Sequence, residues 1–315
     1  MQRFKKILLV YDGKAGEEAT LERAVDLAKR NKAELTLVDV IETLPRDFEI
    51  LVTSIHPKDL QDAAINERQQ ELDEVVRRVE DEGVRGIARV LCGRPFIEII
   101  KEVLRNKHDL IIKTVEAKDG KKEVLFGSTT MPLMRKCPCP VWVLKPAPEV
   151  RFVRILAAVN PLPLEEEKNA LNRKIMDLAT SLAELEQSEL HVIHISSIYY
   201  EDILRNRLSL PENEVNRIVQ QMENTHRSWV EDLLKPYTPK IPSKHIHILR
   251  GVAGKVIPDF AMEEQIDLIV MGTVGRSGIS GLFIGNTAEK VLQKVDCSVL
   301  AVKPEGFVSP VKLDQ

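Results

Sequence analysis

The residues of this chain best suited to hold a ligand lie in one stretch. Gly272-Thr-Val-Gly275 follows the apolar run Leu268–Met271, and after nine further residues Gly285-Asn286-Thr287 opens a helical pattern. Glycine lets a backbone approach a ligand closely and adopt positive φ. Free N–H groups at a helix start, with the positive end of its dipole, attract phosphate. Arg276 adds a charge-assisted donor. Tight turns make the same demand for glycine, so both readings stand on spacing alone. Asn286-Thr-Ala-Glu289 fits an N-cap with Glu three residues on. The Asn286 side chain is therefore expected to cap its own helix and leave backbone N–H to a ligand. Walker A requires GxxxxGK[ST]; Gly251-Val-Ala-Gly254-Lys255 has the wrong spacing and lacks the hydroxyl, and GxGxxG is absent.

Other chemistry-bearing residues have simpler explanations. His245-Ile-His247 places two imidazoles on one face of a predicted strand, and His191 and His194 lie on opposite faces of another. A zinc site requires three or four converging ligands, and no metal site is assigned. Cys92, Cys137, Cys139 and Cys297 are too few for a disulfide framework, and Cys137-Pro-Cys139 lacks CxxC spacing; they read as small buried thiols. Lys118–Lys122 with Arg135 and Lys136 makes a basic patch, which Glu165–Glu167 of the other half offsets. Two long connections, 43–60 and 197–211, carry apolar side chains: Phe48, Ile50, Leu51 and Val52, then Ile198, Tyr199, Tyr200, Ile203 and Leu204. Long connections often serve as lids, so an apolar or lipid-like ligand between loop and sheet is the alternative to a nucleotide.

These residues sit in a duplicated frame. Residues 109–146 align without a gap on 267–304, at an offset of 158, and share Asp109/Asp267, Gly127/Gly285, Cys139/Cys297 and Lys145/Lys303. Ile7–Asp12 likewise matches Ile155–Asn160. The chain has 315 residues, enough for two domains at about 100–200 residues each. The expected boundaries are 1–147, 151–306 and a tail 307–315, joined at the proline pair Pro146 and Pro148. Apolar runs such as Ile7–Tyr11, Leu35–Ile41 and Leu110–Ile112 alternate with helical spacing such as Leu21, Ala24, Val25 and Ala28. That alternation predicts α/β architecture: parallel sheets covered on both faces, doubly wound, with ligands beyond the carboxyl ends of the strands. With 43% hydrophobic and 30% charged residues the chain can bury a core. A net charge of −3 disfavours general nucleic-acid binding. No apolar run is long enough to span a bilayer or serve as a signal peptide, so a cytoplasmic location without a membrane span is expected.

The strand-ending DLIVMGT, the loop Gly272-x2-Gly275-x9-Gly285 and the closing CSVLAVKP resemble the universal stress protein family, and the resemblance covers both halves in the tandem bacterial arrangement. It implies two tandem five-stranded sheets of order 3-2-1-4-5 with the adenine-nucleotide alpha-hydrolase-like fold. It also implies ATP as ligand, with Mg²⁺ accompanying it, and roles in stress resistance, including starvation and DNA damage. Carried onto the second copy, the implied site is Asn160 after the first strand, Ile195 at the end of the second, and Met271, Gly272, Gly275, Arg276, Gly285, Asn286 and Thr287. The first-copy counterparts are Asp12, Val40, Gly127, Ser128 and Thr129. There Thr114 and Ala117 replace two loop glycines, Glu116 repels an anion, and Pro132 removes a helix donor; this copy is expected not to bind ATP in the family manner. The second copy departs too, with Asn160 where the family has aspartate and Asn286 where it has serine. No catalytic residue is assigned: the sequence lacks a Walker-type Mg²⁺ ligand set, so at most weak ATP hydrolysis is expected. Pairing of the two copies within the chain, a homodimer, and a role as an interaction scaffold complete the expectations.

Overall fold

The computed structural model describes residues 3–14, 16–43, 57–115, 126–145, 151–162, 166–196, 203–208, 210–273 and 285–313. The chain divides into two compact units, Met1–Val150 with the tail Val308–Gln315, and Arg151–Phe307.

In the first unit the elements run β1 (Lys6–Val10), α1 (Glu17–Asn31), β2 (Glu34–Ile41), α2 (Pro57–Asp81), β3 (Gly86–Cys92), α3 (Pro95–Asn106), β4 (Leu110–Thr114), α4 (Thr130–Lys136) and β5 (Val141–Leu144). Their order is β3-β2-β1-β4-β5, all parallel. The second unit repeats it: β6 (Arg154–Ala158), α5 (Glu166–Glu186), β7 (Glu189–Ser196), α6 (Glu212–Leu234), β8 (Ile246–Arg250), α7 (Ala253–Glu263), β9 (Leu268–Gly272), α8 (Asn286–Leu292) and β10 (Ser298–Val302). Its order is β8-β7-β6-β9-β10, again parallel. The expected 3-2-1-4-5 sheet is thus present twice.

The central strands are apolar on both faces because helices cover both. Ile7, Leu8 and Leu9 of β1 and Leu110, Ile111 and Ile112 of β4 are fully buried. Helix α3 supplies Phe96, Ile99, Ile100 and Val103 to that core from one face. Each Asp of the repeated Asp-Leu-Ile fastens the start of its unit's first strand. Asp109 accepts from the N–H groups of Lys5 and Lys6 at 2.7 and 3.1 Å, and Asp267 from Val153 and Arg154 at 2.7 and 2.8 Å. Four chain reversals after helices use left-handed non-glycine residues at matching places in the two units: Lys32 (φ 51) and Gln187 (φ 54), Lys107 (φ 57) and Gln265 (φ 51).

Short elements escape the periodicity. A five-residue π-helix, Ile203–Arg207, and single 3₁₀ turns at Thr238–Lys240 and Ser243–His245 replace expected loop or strand. His245 therefore precedes β8 in a one-turn helix instead of lying in the strand. Cys137, Cys139 and Cys297 are buried as expected, whereas Cys92 is half-exposed.

Candidate functional site

Strand register brings the second-copy candidates to one rim. Ala158 of β6 pairs with Ile193 of β7 and Met271 of β9. Two residues past Ala158 is Asn160, two past Ile193 is Ile195, and one past Met271 is Gly272. All three therefore emerge at the carboxyl ends of adjacent strands, where doubly wound sheets hold ligands. Asn160 is exposed, and its N–H donates to Asn172 Oδ1 at 2.9 Å, fixing the backbone and leaving the side chain at the surface.

The glycine loop starts and ends at one point. Thr273 N–H donates to the Val302 carbonyl at 3.3 Å, and Gly285 N–H donates back to the Thr273 carbonyl at 3.0 Å. Gly275 and Arg276 lie between, outside the described residues. Beneath this closure sits a side chain that the loop's spacing did not single out. Lys303, buried just past β10, donates its ammonium to Thr273 Oγ1, and stands 5.1 Å from the Phe307 ring. Lys174 holds the Lys303 carbonyl at 3.1 Å. The Lys303 ammonium is thereby fixed at the residue where the loop begins and closes. Its only signal in the sequence is the repeated Lys-Pro at 145–146 and 303–304.

Two of the glycine-loop expectations change. At Gly272 a Cβ would stand 2.9 Å from Leu171 Cδ2 of α5. The position faces a helix, so the glycine makes room for Leu171 of α5. The equivalent Thr114 also faces its helix: Thr114 Oγ1 donates to Thr20 Oγ1 of α1 at 2.8 Å, both buried. Crowding by Thr114 therefore cannot be what disfavours an anion in the first copy. The N-cap of α8 is Gly285, with φ −63° and ψ 138°, and no side-chain cap bond forms there. Asn286 is the first helical residue, exposed like Thr287, so it does not cap the helix as its pattern suggested. Gly251 and Gly254 are also packing residues: added Cβ atoms would meet Val256 and Lys290, each at 2.7 Å.

The first-copy rim is filled with its own charges. Glu17 Oε2, buried, accepts from the N–H groups of Asp12 and Gly13, both at 2.9 Å. Burial first, then the Asp12 charge, pushes Glu17 up to about 7. Burial opposes ionisation of Asp12, but Lys14, through its ammonium and amide, and Lys113 outweigh it and hold Asp12 below its ordinary value. Arg68 of α2 reaches across to Asp39 Oδ2 of β2 at 2.6 Å and to the Tyr11 carbonyl at 3.1 Å, and also bonds Glu71. Gly13, with φ 76°, lies under that guanidinium. Val40 N–H is bonded to Asp39 Oδ1 at 2.7 Å. Gly127, Ser128 and Thr129 lead into α4, where Thr129 is the N-cap without a side-chain bond. Pro132 removes the donor between the Met131-to-Gly127 and Leu133-to-Thr129 bonds. Ala117 and Glu116 lie outside the described residues, as do Lys118–Lys122, Glu165, Phe48, Ile50, Leu51, Val52, Ile198, Tyr199 and Tyr200. Of the apolar loop candidates, Ile203 and Leu204 are described, half-buried in the π-helix.

The histidines do converge. His191 Nδ1 and His247 Nε2 are 3.1 Å apart, the His191 and His245 rings stack at 4.3 Å, and His194 Nε2 is 2.7 Å from His226 Nδ1. Glu189, which sequence reasoning passed over, stands beside His191; its i, i+2 spacing, the same as that of His245 and His247, was the available signal.

The universal stress protein family model matches residues 3–145 and 152–303, one copy in each unit. Universal stress protein E of Salmonella typhi is 31% identical over 315 residues, covering 100% of this chain and 99% of the relative. A protein of unknown function from Pseudomonas aeruginosa PAO1 has a solved structure with a TM-score of 0.72 at 26% identity, covering 97% of this chain and 95% of its own. A putative universal stress protein from Pseudomonas aeruginosa UCBPP-PA14 gives 0.71 at 27% identity, with the same coverage. Two family matches on two sheets of one topology, together spanning nearly the whole chain, place it in the universal stress protein family.

Proposed function

We propose that this protein is a non-catalytic, nucleotide-binding stress-response protein that takes ATP at the carboxyl rim of its second unit. The observation that carries this reading is the loop closure. Gly285 N–H returns to the Thr273 carbonyl over the buried Lys303 ammonium, beside the exposed Asn160. Asn160 and the backbone at Ile195 face the adenosine end. Gly275, Arg276 and the Gly285–Thr287 backbone take the phosphates, with Mg²⁺ carried by the triphosphate. Met271 lies at the end of β9, and Gly272 lets α5 pack against it. Family membership supports the stress-response role. Hydrolysis is at most weak, and the protein works in the cytoplasm. The rim of the first unit is satisfied internally by Lys14, Arg68, Asp12 and Glu17 and takes no ATP.

Calorimetric titration with Mg·ATP tests this. One site per chain is expected. It is lost in Gly275→Asp, which puts a carboxylate in the phosphate path, and kept in Gly127→Asp. Binding that ignores Gly275→Asp, or that Gly127→Asp alone removes, sinks the reading.

A further inference from the structure

We propose that Glu189, His191 and His245 form a transition-metal site of the zinc class, at the amino ends of β7 and β8, away from the nucleotide rim. One donor atom from each lies within 4.8 Å of the other two. From His191 at one end of β7 to Ile195 at the other is roughly 13 Å at strand rise. The two places are thus separate, and this inference does not rest on the ATP reading.

Register builds the cluster. β7 and β8 run parallel with Val192 beside Ile246, so His191 and His245, one residue earlier on each, are neighbours. Glu189 is two residues before His191 and shares its face. His191 and His245 are 4% and 8% exposed, each more than nine-tenths buried. Yet His191 Nε2 and His245 Nδ1 have no hydrogen-bond partner among the described residues. Buried polar atoms left unpaired are uncommon and call for an explanation. Glu189 Oε2 stands 3.9 Å from His191 Nε2, and its exposed carboxyl gives the ion a way in from solvent.

The surroundings also suit a ligand histidine. Metal-bound histidines commonly donate the other ring N–H to a fixed partner. His247 Nε2, 3.1 Å from His191 Nδ1, can accept that proton, which leaves the Nε2 lone pair for an ion. His247 is itself held against Phe260, ring centres 4.5 Å apart. A His₂Glu set is of the open three-ligand type that zinc uses, with imidazole favouring zinc, copper and nickel over calcium or magnesium. Two other charges bear on the site. Glu264 acts through space on His191 and His247, and Arg154 Nε holds Glu189 Oε2 at 3.2 Å. Coordination draws the donors to roughly 3.4 Å apart, the spacing of about 2.0–2.1 Å bonds in a tetrahedron, and pulls Glu189 from Arg154.

The test uses the untagged full chain, stripped with chelator and titrated with zinc chloride by calorimetry. Cobalt(II) absorption serves as an independent report of ligand geometry. The expected result is one zinc per chain, weakened about tenfold or more in Glu189→Gln and in His245→Gln, and unchanged in His226→Gln at the other histidine pair. A tetrahedral cobalt spectrum should vanish with the same variants. Glu189 is exposed, so its variant stays informative if His245→Gln fails to fold. No zinc uptake, or uptake equal in the parent and Glu189→Gln, overturns the proposal.

Discussion

Single residues carry most of the electrostatic individuality of the two copies. Glu17 is buried among backbone donors with Asp12 beside it, and titrates near 7 instead of its ordinary 4.5. Below the ordinary value the carboxyl is protonated in folded and unfolded chains alike. Between 4.5 and about 7 the unfolded chain releases the proton while the native one keeps it, so this group's contribution to stability falls as pH rises through that window. Glu17→Gln keeps an acceptor oxygen but cannot ionise. It is expected to raise the melting temperature at about pH 8, by the equivalent of roughly 1–3 kcal/mol, and to change little near pH 4; parallel thermal melts at the two pH values check it. Lys303 makes the corresponding case in the second copy. Lys303→Met should weaken ATP binding by about tenfold, near 1.4 kcal/mol, with the fold retained, as read by calorimetry and circular dichroism. The sequence displayed Gly272, Gly275 and Gly285 but not Lys303, because a buried lysine one residue past a strand looks like any strand-ending charge. It also concealed the role of Gly272, since glycine that avoids a leucine and glycine that admits a phosphate are spelled alike.

Elements were more legible than side chains. Ile7–Val10, Leu110–Ile112 and Leu268–Met271 are continuous apolar runs because helices cover both faces of the sheet, and spacing such as Leu21, Ala24, Val25 and Ala28 marked α1 as amphipathic. What failed was local. The 3₁₀ turn at Ser243–His245 and the π-helix at Ile203–Arg207 have no hydrophobic period to announce them. Helix ends were equally silent, because Lys32, Lys107, Gln187 and Gln265 hold left-handed conformations where glycine would signal a stop. Such residues cost roughly 1–2 kcal/mol each in that conformation, part of which glycine would return as unfolded-state entropy. Lys107→Gly is therefore expected to stabilise the chain by about 0.5–1 kcal/mol, measurable by urea denaturation; a loss of stability would contradict the left-handed cap.

For the molecule as a whole, the offset of 158 between the halves made the duplication plain, and the family resemblance carried the strand order that followed. Two sheets of one topology have diverged at their rims. The first copy binds its own arginine and lysine there, while the second leaves Asn160, Asn286 and Thr287 at the surface. A stoichiometry of one ATP per chain, not two, is the expected consequence, and equilibrium dialysis distinguishes them.

The polar Thr20–Thr114 contact of the first copy and the apolar Leu171–Gly272 contact of the second are two solutions to the same seam between strand and helix. Mixing the two carries a cost. A chimera that grafts β4 into the second copy without α1 would press a hydroxyl-bearing branch into leucine, and the reverse graft would strand Thr20 without its mate, at about 1–3 kcal/mol for an orphaned hydroxyl. Strand and helix exchanged together would keep the seam intact. Exchanges that move strand and helix together are therefore expected to be better tolerated than exchanges that move only one of them, and urea denaturation of the two kinds of chimera measures the difference.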